Sequence, residues 1–77
     1  MIKEDVFRSP EHKKLVLQLI KARREVDLDQ KEVAKLMGKS QSYISKIEAG
    51  HSYLDVIDFF KLTKIYKKKM SFYFKSV

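Results

Sequence analysis

Two neighbouring segments of about eight residues each, joined through Gly38-Lys39-Ser40, constrain the fold of this chain more than any other feature. They cover residues 30–37 and 41–48, and each has apolar side chains at the three- and four-residue spacing of a helix. Helices this short are unstable in isolation, because nucleation costs more free energy than a few hydrogen bonds return. Tertiary packing must therefore hold both segments, which predicts one compact all-α domain.

Capping residues mark the ends of these two segments. Asp29 is followed three positions later by Glu32, which is the spacing of a capping box in which aspartate replaces serine or threonine. Ser40 is expected to cap the second segment. Gly38 is expected to end the first segment in the left-handed conformation that glycine adopts at little cost, and Gly50 to end the second. Two short, separately capped helices joined by a tight turn form a helix-turn-helix.

Segments on either side are predicted to complete the domain. Ser9 and Pro10 suit the N-cap and first position of a helix that we expect to continue to residue 25. Asp55 is expected to cap a fourth helix, whereas residues 70–75 fit either a short fifth helix or an aromatic strand. Residues 1–9 are interpreted as an N-terminal arm and residues 10–77 as the domain. The expected core residues include Leu15, Leu19, Ala22, Leu36, Ile44, Ile47, Val56, Phe59, Leu62 and Tyr66.

Several classes of function are disfavoured by the composition. The chain has no cysteine, which removes disulfides and thiolate metal sites and favours a reducing compartment such as the cytoplasm. No apolar run approaches the roughly 18 residues of a membrane span. His12 and His51 are 39 positions apart, with no carboxylate or thiolate at ligand spacing, so we expect no metal site. We find no glycine-rich phosphate loop, paired-carboxylate motif or Ser/His/Asp grouping, and expect neither a cofactor nor an enzyme.

The charge of the chain points to an anionic partner. Seventeen Lys and Arg residues against ten Asp and Glu residues give a net charge of +7. Such a balance favours nucleic acid, an anionic membrane surface or an acidic protein, although a lysine-rich solvated surface has the same composition. A membrane contact is disfavoured, because the apolar side of the fourth helix is needed for the core. Charge alone does not choose among the remaining partners.

The polar side chains of the second short segment favour nucleic acid. Gln41, Ser42, Tyr43 and Ser45 are uncharged donors and acceptors of short to medium reach, and Lys46 adds a cation. This is not the Glu and Lys mixture of an ordinary solvated helix face. The major groove of DNA, about 12 Å wide, admits one helix whose side chains can reach base edges. The segment is therefore a candidate DNA-reading helix.

The sequence of residues 22–38, followed by residues 41–50, resembles the lambda-repressor/Cro-like (Xre-type) helix-turn-helix family, and residues 54–66 resemble the fourth helix of that family. The resemblance implies a compact four- to five-helix DNA-binding domain. It also implies a sequence-specific transcriptional regulator of double-stranded DNA, acting as a repressor and as a homodimer on a palindromic operator. Asp27 and the segment Tyr66-Lys67-Lys68-Lys69 stand where the family has turn glycines.

The resemblance also implies a role for each matching position. The base-reading positions correspond to Gln41, Ser42, Ser45 and Lys46. Gln30 matches a residue that binds phosphate and steadies the first base-reading side chain. Arg23 and Glu48 match an ion pair between the first and third helices, and the same arginine can also face a phosphate. The remaining positions expected to contact the DNA backbone are Lys39, Ser40, Tyr43, His51 and Ser52.

A second class of function stays open from the sequence. The same fold serves in antitoxin-like modules, which sequester a partner protein as well as binding DNA. In that interpretation the arm of residues 1–9 and the aromatic residues Phe72, Tyr73 and Phe74 would form the protein interface. A stoichiometric partner that co-purifies with the chain would distinguish this alternative from a regulator that binds DNA alone.

Overall fold

A computed structural model describes residues 9–74 and shows that this part of the chain is all-α, with no strand. Its five helices are α1 (Pro10–Glu25), α2 (Gln30–Met37), α3 (Gln41–Glu48), α4 (Val56–Ile65) and α5 (Met70–Phe74). The bounds of α1, α2 and α3 agree with the predicted segments, and α5 is a helix rather than the alternative strand. The predicted arm lies outside the described residues except for Ser9. No helix within residues 9–74 has the length and apolar character needed to cross a bilayer.

All four predicted N-caps are confirmed. In each case the side-chain oxygen accepts a hydrogen bond from the backbone N–H three residues further along, at 2.7–3.2 Å. Glu32 returns the contact in the capping box, because its Oε1 accepts from the Asp29 backbone N–H at 2.9 Å. These bonds satisfy backbone donors that helix starts leave unpaired. The capping residues are Ser9, Asp29, Ser40 and Asp55.

The helix connections use left-handed residues, two of which are not glycine. Gly38 turns the chain between α2 and α3 with φ of 68°. Asp27 and Lys67 each have φ of 58°, at the two places where the resembling family has glycine. Aspartate enters this region more readily than most residues, whereas a lysine there is strained by the crowding of its Cβ. Helix α4 consequently ends at Ile65 despite the missing glycine.

The hydrophobic core lies between α1, α2, α3 and the buried side of α4, and α5 covers it from the α1 side. Two core predictions are wrong. Leu36 is 63% exposed, because the buried side of α2 is centred on Val33, Ala34 and Met37, and residue 36 lies about 100° around the helix from that centre. Val56 is 75% exposed, because the buried side of α4 is centred between Phe59 and Leu62, and residue 56 lies about 90° around the helix from that centre.

The carboxyl-terminal aromatic residues contribute to the core more than to a partner surface. Tyr73 is 1% exposed, and its ring packs edge-to-face against Phe59 with 5.1 Å between centroids. Phe72 is half-buried, and its carbonyl accepts a hydrogen bond from Gln18 Nε2 at 3.1 Å, which ties α5 to α1. Phe74 is 46% exposed. The predicted aromatic interface is therefore corrected to one exposed ring, because α5 needs the other two to pack.

Tyr73 supports a prediction about alkaline stability. Its buried hydroxyl has no hydrogen-bond partner within residues 9–74, and burial raises the pKa of Tyr73 from 10.0 to about 12. Because the folded state disfavours the phenolate, this side chain's contribution to stability is full below pH 10 and is lost as the pH rises towards 12. Tyr73→Phe is expected to raise the unfolding free energy at neutral pH by about 1 kcal/mol.

Urea unfolding at neutral pH and across the alkaline range would measure both effects. The alkaline loss should become shallower in Tyr73→Phe without disappearing, because burial also raises the pKa of Tyr43 and of Tyr66. An alkaline profile identical to that of the parent chain, with no gain at neutral pH, would contradict the assignment.

Candidate nucleic-acid interface

The exposed face of α3 carries the four residues predicted to read bases. Gln41, Ser42, Ser45 and Lys46 are all exposed, and their spacing places them on one side of the helix. The opposite side is anchored in the core by Ile44 and Ile47, which are 2% and 3% exposed. This burial fixes the rotation of α3, so that its polar side chains face outward together. The described residues therefore present a continuous hydrogen-bonding surface along one short helix.

A basic groove runs beside the start of α3. It has a volume of about 610 Å³ and is lined by Lys31, Lys35 and Lys39, together with Glu32, Ala34 and Gln41. Lys39 was among the predicted DNA contacts, whereas Lys31 and Lys35 were not singled out from the sequence. Their signal is the four-residue spacing of the three lysines, which places Lys31 and Lys35 on the same side of α2. The groove concentrates positive charge next to the first turn of α3.

A buried ion pair fixes the end of α3. Arg23 donates from Nε to Glu48 Oε2 at 2.7 Å and from Nη2 to Oε1 at 3.0 Å. The arginine and glutamate side chains are only 12% and 7% exposed. The hydrogen bond with Glu48 raises the pKa of Arg23 above its ordinary value, and burial partly opposes this rise. This bidentate contact joins α1 to α3.

Two further hydrogen bonds extend the ion pair. Arg23 Nη1 donates to the carbonyl of Leu28 at 2.9 Å. Gln30 Nε2 donates to Glu48 Oε1 at 2.9 Å, so the structure places the Gln30 amide against the ion pair, whereas the resemblance implies that it steadies Gln41. Glu48, in the last turn of α3, is thus hydrogen-bonded directly to α1 and α2, and Arg23 links it to the α1–α2 connection. The expected phosphate contacts of Arg23 and Gln30 stay predictions.

A second buried carboxylate lies at the other end of α3. Asp58, in the first turn of α4, is 5% exposed, and its Oδ2 accepts a hydrogen bond from the Tyr43 hydroxyl. The Lys39 ammonium lies 3.9 Å from the same oxygen and 5.2 Å from the centroid of the Tyr43 ring. Burial, followed by the hydrogen bond to Asp58, raises the pKa of Tyr43. Asp58 was not predicted as a site residue, because its sequence position indicates only a favourable acid in a first helical turn.

The other expected backbone contacts flank α3. Ser40 is exposed, and its hydroxyl oxygen accepts the capping hydrogen bond from the Tyr43 N–H. His51 is exposed just beyond the end of α3, and the Ser52 hydroxyl donates to the carbonyl of Tyr53 at 3.2 Å. No group of three or more His, Cys, Asp or Glu side chains within residues 9–74 is arranged to hold a metal ion.

Comparison with known proteins yields one finding. A protein-family model described as helix-turn-helix matches residues 19–73, which is most of the chain and includes α2, α3, α4 and nearly all of α5. No curated protein and no solved structure matches the chain significantly. The matched region contains both buried carboxylates and the whole exposed face of α3.

Proposed function

The chain belongs to the lambda-repressor/Cro-like (Xre-type) helix-turn-helix family of DNA-binding regulators, and we propose that it recognises a specific double-stranded DNA sequence through α3. Members of this family are not typically enzymes. In this proposal, the chain is a transcriptional repressor that acts in the cytoplasm as a homodimer. Its base-reading side chains are Gln41, Ser42, Ser45 and Lys46.

The observation that carries this proposal is the common exposed face of those four side chains, held outward by Ile44 and Ile47. Their chemistry suits base edges in the major groove. A glutamine amide can pair with adenine through two hydrogen bonds, a lysine ammonium can donate to guanine, and a serine hydroxyl can serve several bases. Specific readout is therefore supported by both placement and side-chain type.

Phosphate contacts would surround the reading face. The three lysines of the basic groove and the amino-terminal end of α3 at Ser40 lie on one side of it. His51 and Ser52 lie beyond the other end of α3, close in sequence to the Arg23–Glu48 pair. Contacts to phosphate hold the protein in register without reading sequence, whereas contacts to bases determine preference. This division of roles predicts different effects of mutations in the two sets of residues.

Selection of preferred duplexes from a random pool, repeated at two salt concentrations, tests the proposal. We expect an enriched site with two-fold symmetry, whose half-sites are centred about 34 Å apart. The dependence of affinity on salt would count the phosphate contacts, because each neutralised phosphate releases counterions. If no sequence is enriched, while the chain binds all duplexes alike, specific readout by α3 is excluded.

The proposed homodimer is supported by an apolar face on α4. Val56, Ile57 and Phe60 are 75%, 65% and 52% exposed, and their spacing places them together on the side of α4 that faces away from the core. A single eight-residue reading helix spans only a few base pairs, so pairing of two copies would supply the second half-site. A second copy of this chain, presenting the same face, is the proposed occupant.

Substitution of Ile57 by glutamine is expected to weaken this dimer. Loss of the apolar side chain from both copies should cost about 1 kcal/mol per copy, or about 2 kcal/mol per dimer, which raises the dimer dissociation constant roughly thirtyfold. Sedimentation equilibrium measures the constant directly. Leu17→Gln is the matched control, because Leu17 on α1 is equally exposed at 65% but lies outside the α4 face. Equal effects of the two substitutions, or a parent chain that stays monomeric, would contradict the proposed interface.

The antitoxin-like alternative loses part of its support, because Phe72 and Tyr73 are used in packing α5. It still makes a separate prediction, which is a stoichiometric protein partner that co-purifies with the chain. If such a partner binds the α4 face, Ile57→Gln should release it from the chain. The oligomeric state of the isolated chain would then be the same with and without the substitution.

A further inference from the structure

We propose that Asp58 is a positioning residue for the DNA-binding surface, holding the Lys39 ammonium and the Tyr43 ring in place beside the first turn of α3 without itself contacting DNA. The inference deepens the proposed function, because Lys39 and Tyr43 are among its expected phosphate contacts. It rests on the cluster that Asp58 forms with these two side chains across the interface between α3 and α4.

The geometry separates the holding group from the contacting groups. The Asp58 side chain is only 7% exposed, so its carboxylate lies behind the surface, whereas the Lys39 side chain is 41% exposed. One oxygen of Asp58 accepts the Tyr43 hydroxyl hydrogen bond and also faces the lysine ammonium at 3.9 Å. At that distance the ammonium is attracted without a direct hydrogen bond to the carboxylate oxygen, which leaves its donors available for a phosphate.

Two groups, the Tyr43 ring and the Asp58 carboxylate, orient the Lys39 ammonium. The Tyr43 ring supports the ammonium from one side, with 5.2 Å from the nitrogen to the ring centroid. Asp58 anchors the same ring through its hydroxyl and is itself fixed in the first turn of α4, where its backbone N–H donates to Asp55 Oδ1 at 2.8 Å. A lysine has many rotamers to lose on binding, so holding it in advance reduces the entropic cost of the phosphate contact.

A net-charge effect and a positioning effect predict opposite changes in DNA affinity when the Asp58 charge is removed. Removing a buried negative charge near a DNA-binding surface should tighten DNA binding if only net charge matters, because the chain becomes more positive. If Asp58 positions Lys39, the same change should weaken binding instead. Asp58→Asn distinguishes the two, since asparagine keeps the shape and an oxygen that can accept from Tyr43 but loses the attraction for the ammonium.

The test compares Asp58→Asn with Asp55→Asn, which removes the same charge three residues away at the exposed N-cap of α4, a position where asparagine also caps well. Binding is measured on a random-sequence duplex at several salt concentrations, well below the unfolding temperature of each variant. We expect Asp58→Asn to bind about three- to tenfold more weakly than the parent. Asp55→Asn should bind equally well or slightly more tightly.

A second background shows whether the effect passes through Lys39. In Lys39→Met the Asp58→Asn substitution should no longer weaken binding, whereas a general structural effect would persist. Tighter binding by Asp58→Asn in the parent background, or the same loss in both backgrounds, would overturn the inference. Because the random-sequence duplex reports only backbone contacts, failure of sequence-specific readout would appear separately, as the absence of an enriched site in the selection experiment.

Discussion

Glu48→Ala is expected to lower the free energy of unfolding by about 3–5 kcal/mol, because it leaves the Arg23 guanidinium buried without its counterion. Arg23 is 12% exposed at its side chain and loses two hydrogen bonds, while Gln30 loses its acceptor. A domain of this size has a total stability of only about 4–12 kcal/mol, so the change approaches the loss of the folded state. Thermal unfolding followed by circular dichroism measures the effect as a large fall in Tm.

Glu25→Ala is the matched control for that substitution. Glu25 also pairs with a cation, at 2.6 Å from the Lys68 ammonium, but its side chain is 42% exposed and that of Lys68 is 28% exposed. Solvent screens such surface pairs, so their loss has little effect on stability. If Glu48→Ala were no more harmful than Glu25→Ala, the ion pair would not be what holds the end of α3.

Replacing both members of the buried pair separates its effect on the stability of the domain from its effect on the orientation of α3. In Arg23→Met with Glu48→Met, no unpaired charge remains, and we expect most of the lost stability to return. The bidentate geometry would nevertheless be absent, and α3 would depend on apolar contacts alone to fix its direction. The double variant should therefore fold while discriminating less between its preferred duplex and others, a result measured by competition binding.

The helices and their caps could be predicted because each is determined within a few residues. Asp29 with Glu32 identifies the start of α2, and Gly38 identifies its end, without any knowledge of the rest of the chain. The departure at Asp27 was predictable in the same way, since aspartate tolerates the left-handed conformation found there. Lys67 has no comparable local preference, and its φ of 58° lies in the connection after which α5 packs against α1.

The inward faces of the short helices were harder to predict than their bounds. In an eight-residue helix, several apolar residues fit a stripe, and the neighbouring helices decide which of them is buried. Leu36 is apolar and at helical spacing from Val33, yet it is 63% exposed. Val56 matched the spacing of Phe59 in the same way, yet it is 75% exposed, because the buried side of α4 is centred between Phe59 and Leu62. The spacing of apolar residues predicts a helix, but the tertiary contacts determine which side of that helix is buried.

The candidate site likewise has one part that could be predicted from the sequence and one part that depends on tertiary contacts. The exposed face of α3 could be predicted, because the polar residue types between Ile44 and Ile47 and before them stand out in the sequence. The Asp58 cluster could not, because its three members come from the α2–α3 connection, α3 and α4, and Tyr43 precedes Asp58 by 15 positions. A buried carboxylate is recognisable only when the helices that cover it are in place.

Gln41→Ala is expected to remove preference at one position of each half-site, with a loss of about 1–3 kcal/mol for the preferred base pair there. Gln41 is exposed at the first position of α3, so its removal should leave folding nearly unchanged. Binding should be measured on the selected duplex and on three others that differ only at the affected position. The four affinities, distinct for the parent chain, should converge for the variant.

Lys39→Ala supplies the opposite behaviour from a neighbouring residue on the same groove. As a phosphate contact it should weaken binding to all four duplexes alike and reduce the slope of affinity against salt by about one charge. The two variants together distinguish base contacts from phosphate contacts. Gln41→Ala should change the ratios among the four affinities, whereas Lys39→Ala should lower all four by the same factor. If Gln41→Ala also lowered all four affinities equally, α3 would contact only the backbone at its first turn. The specificity would then have to come from Ser45 and Lys46, one turn further along the same exposed face.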